Sequence, residues 1–171
     1  MMQRKGQLDL DNKNGHVRFK TIFEQTSLRN KFINSDLKIL EYFGLKEAIR
    51  DICHHIDGTI NLNCQFSGLQ DRLPKYVEIA IYRIIQELTT NIVKHAHASK
   101  ATLRVGVSKS DVRIRIEDNG RGFNISKAND GSIGIRSIKS KIYLLKGKFE
   151  ISSKPDTGTV IEIRFPRTND R

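Results

Sequence analysis

The chain has 171 residues, enough for one domain with a modest core. Lys and Arg number 30 against 19 Asp and Glu, and the formal net charge of +11 favours polyanionic partners without choosing among them. No apolar run approaches the roughly 20 residues of a membrane span, no secretory signal opens the chain, and two cysteines without a CxxC suit a reducing cytosol and argue against a disulfide framework or a structural zinc site.

The basic residues are scattered, with no aromatic residues interleaved as stacking platforms, so nucleic acid is not an expected partner. Residues Met1 to Gly15 are polar and almost free of apolar side chains, and read as a tail. Short apolar patches follow to Tyr42, with a short helix over Val17 to Asn30. Gly44 to Ile56 carries an amphipathic stripe through Leu45, Ala48, Ile49, Ile52 and Ile56, ended by Gly58. Thr59 to Phe66 alternates apolar and polar residues, as a half-buried strand does. Ser67 to Lys75 is a loop.

Tyr76 to Ala98 follows Pro74 and contains neither Gly nor Pro. Its apolar positions at Val77, Ile81, Ile84, Leu88, Ile92 and Ala96 have helical spacing, so one long helix is expected. Glu87, Asn91 and Lys94 stand at i, i+4 and i+7 and share a second face. An acid, an amide and an ammonium in line could hold a hydrated cation and a phosphate tail; they could equally be a solvated face.

After Ala98 the period changes from 3.6 to 2. Ala101 to Val107 and Val112 to Glu117 read as a hairpin that runs into Asp118-Asn119-Gly120-Arg121-Gly122-Phe123. Helical spacing resumes from Gly131 to Lys146, with Gly147 as its C-cap. Phe149 to Ser153 and Thr159 to Phe165 form a last hairpin around Pro155 to Gly158. The sum is an α+β sandwich: one mixed, mostly antiparallel sheet of about five strands, with three helices on one face.

Four pieces fit one ligand. A buried carboxylate after a strand, Asp118, can accept a hydrogen bond from the exocyclic amine of adenine, whereas a guanine carbonyl would leave it unpaired. Gly120 and Gly122 let the backbone pass close to a flat base. Gly131 and Gly134 free N–H groups at a helix start, where phosphates are favoured. Asn91 offers an uncharged oxygen to Mg²⁺, Lys94 positive charge to phosphates, and Glu87 a base. Gly158-Thr159, opening the last strand, is the fourth piece. Each taken singly is also an ordinary turn or cap.

In this order, QELTTNIVKHA, DNGRGF and GSIGI resemble the N, G1 and G2 boxes of the GHKL ATPases, the Bergerat-fold superfamily of gyrase, heat-shock chaperones, histidine kinases and mismatch-repair proteins. With YRIIQEL and SKPDTGT, the likeness narrows to sensor histidine kinases of the nitrate-sensor and desaturase-sensor type. It covers Leu37 to Pro166. The resemblance implies a catalytic ATP-binding domain over 37–167, with a polar tail and linker remnant over 1–36 and a tail over 168–171. It implies ATP and Mg²⁺ as cofactors and Glu87 as the catalytic acid–base group. Asn91 becomes the metal ligand, with Glu87 joining through water, and Asn91, Lys94, His95, Asp118, Gly120, Gly122, Gly131, Gly134, Ile135 and Thr159 become the ATP site. Asn124 to Asp130 becomes a short lid. The implied partners are a dimerisation domain carrying the accepting His and a response regulator, with a cytoplasmic location and membrane anchoring of the parent left open.

Two departures stand out. The G2 box has Ser132 and Ile135 where GGxGL is usual. No His is followed by Asp or Glu, and His54 and His55 are expected at the surface of the first helix, so the accepting His must lie elsewhere. The alternatives are a serine kinase of anti-sigma type on the same fold, and a non-catalytic basic adaptor.

Overall fold

The computed structural model describes residues 38–56, 58–125 and 133–167. The described residues from Ile39 onward belong to one compact unit. The expected tail, the helix over Val17 to Asn30, Gly131 and most of the lid lie outside the described residues.

Residues 38–43 are helical. Helix α1, Leu45–Ile56, buries Leu45, Ala48, Ile49 and Ile52, the stripe its spacing predicts. His54 and His55 are exposed, as expected of them. Strand β1, Asn61–Ser67, alternates exposed and half-buried positions along its whole length. Cys53 of α1 and Cys64 of β1 are joined in a disulfide. This corrects the composition-based expectation of free thiols: the helix folds directly back onto the following strand and brings together cysteines only 11 positions apart.

Helix α2, Lys75–Asn91, begins at Pro74, whose carbonyl accepts from the N–H groups of Val77 and Glu78. It is the central helix, and it buries Val77, Ile81, Tyr82, Ile84, Ile85 and Leu88. Glu78 is buried beside this stripe at 2% exposure. Its carboxylate accepts from Arg72 Nε at 3.0 Å and Nη2 at 2.8 Å, and from the Leu73 N–H at 3.1 Å. One carboxylate thus fixes the loop that delivers the chain to α2. Replacing it strands a buried backbone donor, so Glu78→Ala should lower the unfolding free energy by about 2 kcal/mol, measured by urea denaturation.

The helix does not run unbroken to Ala98. Thr89 and Thr90 turn their hydroxyls back onto the carbonyls of Ile85 and Gln86, a pattern that loosens and bends a helix. Ile92–Ala96 then form a π-helical turn, and His97 ends it in the left-handed conformation at φ 52°. The carbonyl of Ala96, released from the helix, accepts from the N–H of Arg121 at 2.8 Å.

Strands β2 (Lys100–Val107) and β3 (Asp111–Asp118) form the expected hairpin. Helix α3, Ile133–Leu144, buries Ile138 and Ile142. Its cap differs from expectation. Lys146, at φ 54°, is the left-handed residue, while the Gly147 N–H bonds back to Ile142, the Schellman arrangement. Gly147 is needed for space instead: a methyl there would stand 2.8 Å from Phe165 Cβ.

Strands β4 (Lys148–Ser153) and β5 (Thr159–Pro166) complete a five-stranded sheet in the order β1-β2-β3-β5-β4. Only β1 and β2 are parallel. The dry face carries Leu103, Val105, Ile114, Ile116, Ile163 and Phe165, all at 3% exposure or less. The wet face carries charge. Arg104 and Arg115, paired across β2 and β3, both engage Glu117, and Arg115 also engages Glu162. Such exposed pairs add little stability; they let like charges sit side by side. At the hairpin tip, Asp111 accepts from Ser108, Arg113 and Arg164, and these bonds lower its pKa from 3.8 to about 2.

Candidate nucleotide site

The end of β3 is held by backbone packing against two neighbouring segments. Asp118 lies opposite Thr159 in the ladder between β3 and β5. Its Oδ1 accepts from the Gly120 N–H at 2.8 Å, which turns the chain out of the strand. A methyl at Gly120 would come within 2.3 Å of the Ala96 carbonyl oxygen, and one at Gly122 within 2.0 Å of that of Lys154. The DNGRG segment is therefore clamped between the π-helical turn and the β4–β5 turn. Gly158 (φ 80°) in that second turn approaches the Asp118 carbonyl so closely that a methyl would overlap it at 1.9 Å.

Above this junction lies a cavity of about 570 Å³, the size of a small-ligand site. Ile116, Ile151 and Ile161 from the sheet and Leu88 and Ile92 from the helix give it flat apolar walls. Its polar lining is sparse: Asn91, His95, Asp118, Arg121, Lys139 and Thr159. Asp118 is its one acid, and burial raises the Asp118 pKa, opposed by the Gly120 and Thr159 N–H groups. The Asn91 Nδ2 atom is buried without a hydrogen-bond partner among the described residues.

Of the residues singled out in the sequence, Asn91, His95, Asp118, Gly122, Ile135 and Thr159 line the cavity together. Gly134 and Glu87 meet beside it: a methyl at Gly134 would stand 2.1 Å from Glu87 Oε1 and 3.5 Å from Asn91 Nδ2. The start of α3 is thus seated on the acid–amide face of α2. Gly120 supports Asp118 from behind. Lys94 is exposed and absent from the lining, because the wide turn at 92–96 brings His95 and Ala96 to the cavity instead. Gly131 lies outside the described residues.

The sequence reading missed three contributors. Ser153, 8% exposed, accepts from the Phe123 N–H at 2.9 Å, donates to the Gly158 carbonyl at 2.9 Å and lies 3.0 Å from Thr159 Oγ1. It ties the loop after Asp118 to the last hairpin. Arg121 and Lys139 add positive charge to the lining, with the Lys139 ammonium 5.7 Å from the centre of the Phe149 ring.

Residues 76–169 match the family model for the histidine kinase-, DNA gyrase B- and HSP90-like ATPases. The chain belongs to that family. A domain of this ATPase family binds ATP, which agrees with a largely apolar cavity whose lining includes one half-buried acid, Asp118. Among curated relatives, the chain is 38% identical over 126 residues to the signal transduction histidine-protein kinase/phosphatase DegS of Brevibacillus brevis, covering 74% of this chain and 32% of that protein. It is 29% identical over 142 residues to the sensor histidine kinase LiaS of Bacillus subtilis, covering 83% of this chain and 39% of that protein. The chain therefore spans about a third of the length of these relatives. The fold matches the histidine kinase AdeS of Acinetobacter baumannii with a TM-score of 0.60 at 18% identity, over 92% of this chain and 88% of that one. It matches the histidine kinase domain of Erythrobacter litoralis EL346 blue-light activated histidine kinase with a TM-score of 0.57 at 23% identity, over 72% and 59%. No helix among the described residues is long and apolar enough to cross a membrane.

Proposed function

We propose that this domain is the catalytic part of a two-component sensor kinase of the nitrate-sensor and desaturase-sensor type. It binds Mg-ATP and passes the γ-phosphoryl group to a histidine on a separate dimerisation domain, from which a response regulator draws it. The observation that supports the reading is one largely apolar cavity whose lining includes both Asp118 and Asn91, with the Asn91 Nδ2 atom unpartnered among the described residues and close to Gly134, which packs on Glu87. In this reading the purine lies between the isoleucine walls, its exocyclic amine donating to the Asp118 carboxylate. The triphosphate runs toward the start of α3, where helix N–H groups favour negative charge.

The residues present suit Mg²⁺. Among the described residues no three His, Cys, Asp or Glu side chains cluster as a preformed metal cage, and Mg²⁺ in phosphoryl-transfer sites takes few protein ligands and keeps phosphate and water oxygens. Asn91 would hold it by the amide oxygen, and the amide can turn over to present that atom. When bound, the ion neutralises phosphate charge. Glu87, half-buried and packed against Gly134, would accept the imidazole N–H proton as the N–P bond forms and the bond from phosphorus to the ADP oxygen breaks. A cytoplasmic setting follows from the need for ATP.

The test mixes the domain with a separately supplied dimerisation domain and γ-labelled ATP. Label should appear on that domain's histidine in an acid-labile form. Label on a serine of a separate protein instead would favour the serine-kinase alternative. Asn91→Ala should weaken Mg-ATP binding by roughly 10-fold or more and leave Mg-free adenosine binding unchanged in calorimetry.

A further inference from the structure

We propose that Ser153 is a positioning residue that sets base specificity: it takes up the hydroxyl proton of Thr159, so that the cavity wall beside Asp118 offers only hydrogen-bond acceptors and selects a purine with an exocyclic amine. This rests on the ATP-binding reading and deepens it, through a residue to which the motif resemblance assigns no role.

Three observations carry it. First, the sheet register sets three polar residues in one row: Ser153 pairs with Thr159 across β4 and β5, and Thr159 pairs with Asp118 across β5 and β3. The row two positions along each strand is Ile151, Ile161 and Ile116, and all three line the cavity. Thr159 and Asp118 line it as well, so a polar row borders the apolar row on which a flat base would lie. Second, the Ser153 hydroxyl is fully used. It accepts from the Phe123 N–H at 2.9 Å, donates to the Gly158 carbonyl at 2.9 Å and lies 3.0 Å from Thr159 Oγ1. A serine hydroxyl has one proton and two lone pairs. With its proton on the Gly158 carbonyl, the bond to Thr159 is carried by the Thr159 proton. Third, Ser153 is 8% exposed, so giving up any of these bonds strands a buried polar group.

Thr159 Oγ1 is thereby left with lone pairs alone to offer a ligand. The ionised Asp118 carboxylate next to it also has acceptors alone, and it already holds the N–H groups of Gly120 and Thr159. Adjacent acceptors match the N–H bonds of an amine on the purine ring. A keto oxygen in that place would meet both with a lone pair, which costs affinity in a buried site. Without Ser153 the Thr159 hydroxyl is free to turn its proton toward such an oxygen. Inosine triphosphate, which differs from ATP only in a keto oxygen for the amine and a proton on the adjacent ring nitrogen, isolates the effect.

The experiment measures the affinities of ATP and inosine triphosphate, each with Mg²⁺, by calorimetry for the wild-type chain, Ser153→Ala, Thr159→Val and the double variant, with thermal melting of each. The wild type should prefer ATP. Ser153→Ala should narrow that preference by roughly three- to tenfold, the worth of one hydrogen bond. Thr159→Val, which exchanges the hydroxyl for a methyl of similar size, should narrow it as well. In the Thr159→Val background, Ser153→Ala should leave the preference unchanged, because Ser153 acts through the Thr159 proton. A purely structural role would weaken both nucleotides by the same factor. Equal wild-type affinities, an unchanged preference in Ser153→Ala, or the same narrowing with and without the Thr159 hydroxyl would overturn the assignment while leaving ATP binding in place. If Ser153→Ala does not melt cooperatively, Ser153→Cys, whose thiol is a weak donor and acceptor, replaces it in the same comparison. A wild-type chain that binds neither nucleotide would overturn the ATP reading itself and this assignment with it.

Discussion

Asp118→Asn should reduce ATP affinity by roughly 10- to 100-fold, the worth of a hydrogen bond to a charged acceptor in a buried site. The amide keeps the size of the carboxylate and can still accept from the Gly120 N–H, so the fold should survive and the melting temperature should stay near that of the wild type. What is lost is an acceptor of full negative charge facing the purine amine. Wild-type protein should reject GTP, because the guanine carbonyl would face the carboxylate without a shared proton. Asp118→Asn, which can also donate, should lose much of that discrimination. The acid dependence follows from the direction of the pKa shift. Burial raises the Asp118 pKa, so the carboxyl takes up a proton at a higher pH than an exposed Asp does. ATP affinity should therefore fall as pH drops through this raised value, and Asp118→Asn should abolish the dependence. By the same linkage, the ionised carboxylate costs the empty domain some stability at neutral pH, and nucleotide binding offsets that cost. Competition titrations with ATP and GTP between pH 4 and 8 would measure all three effects.

Gly158→Val should be severely destabilising, by about 3 kcal/mol or more. Two costs combine. At φ 80° a branched side chain is strained whatever the space, and its Cβ would lie 1.9 Å from the Asp118 carbonyl oxygen and 2.9 Å from the carbonyl carbon. These are backbone atoms at the start of the β3–β5 ladder, so relief requires opening the sheet where it carries the site. Gly58→Ala provides the contrast: a methyl there meets nothing within 4 Å, and its effect should stay within about 0.5 kcal/mol. Chemical denaturation of the two variants beside the wild type would separate a crowded junction from general sensitivity to losing glycine.

How legible the site was in the sequence depends on how local its causes are. The β2–β3 hairpin was readable because its alternation of Leu103 and Val105 against Ile114 and Ile116 is a local consequence of burying one sheet face. Helix α2 was readable through Asn91 for the corresponding reason at a period of 3.6. The turn that follows it, Ile92–Ala96, was not. Apolar spacing at Leu88, Ile92 and Ala96 fits an α-helix and a widened turn alike, and what decides between them is the demand of Arg121 for the Ala96 carbonyl, 25 residues further along. Ser153 left no trace in the pattern because its partner, the Phe123 N–H, is 30 positions away. Ile116, Ile151 and Ile161 read as ordinary core, and only the sheet order reveals that they face a cavity rather than a packed helix. The disulfide was hidden similarly: two cysteines in different elements carry no signal until α1 is laid along β1.

The central claim is that a purine amine meets Asp118 while the metal-bearing phosphates meet Asn91, in one groove. The most direct test is a crystal structure of the domain with Mg²⁺ and a non-hydrolysable ATP analogue. The account predicts the adenine amine within hydrogen-bonding distance of the Asp118 carboxylate and the ion bound through the Asn91 amide oxygen. Nucleotide seated elsewhere on the domain, or adenine in this groove with its amine turned away from Asp118, would contradict it.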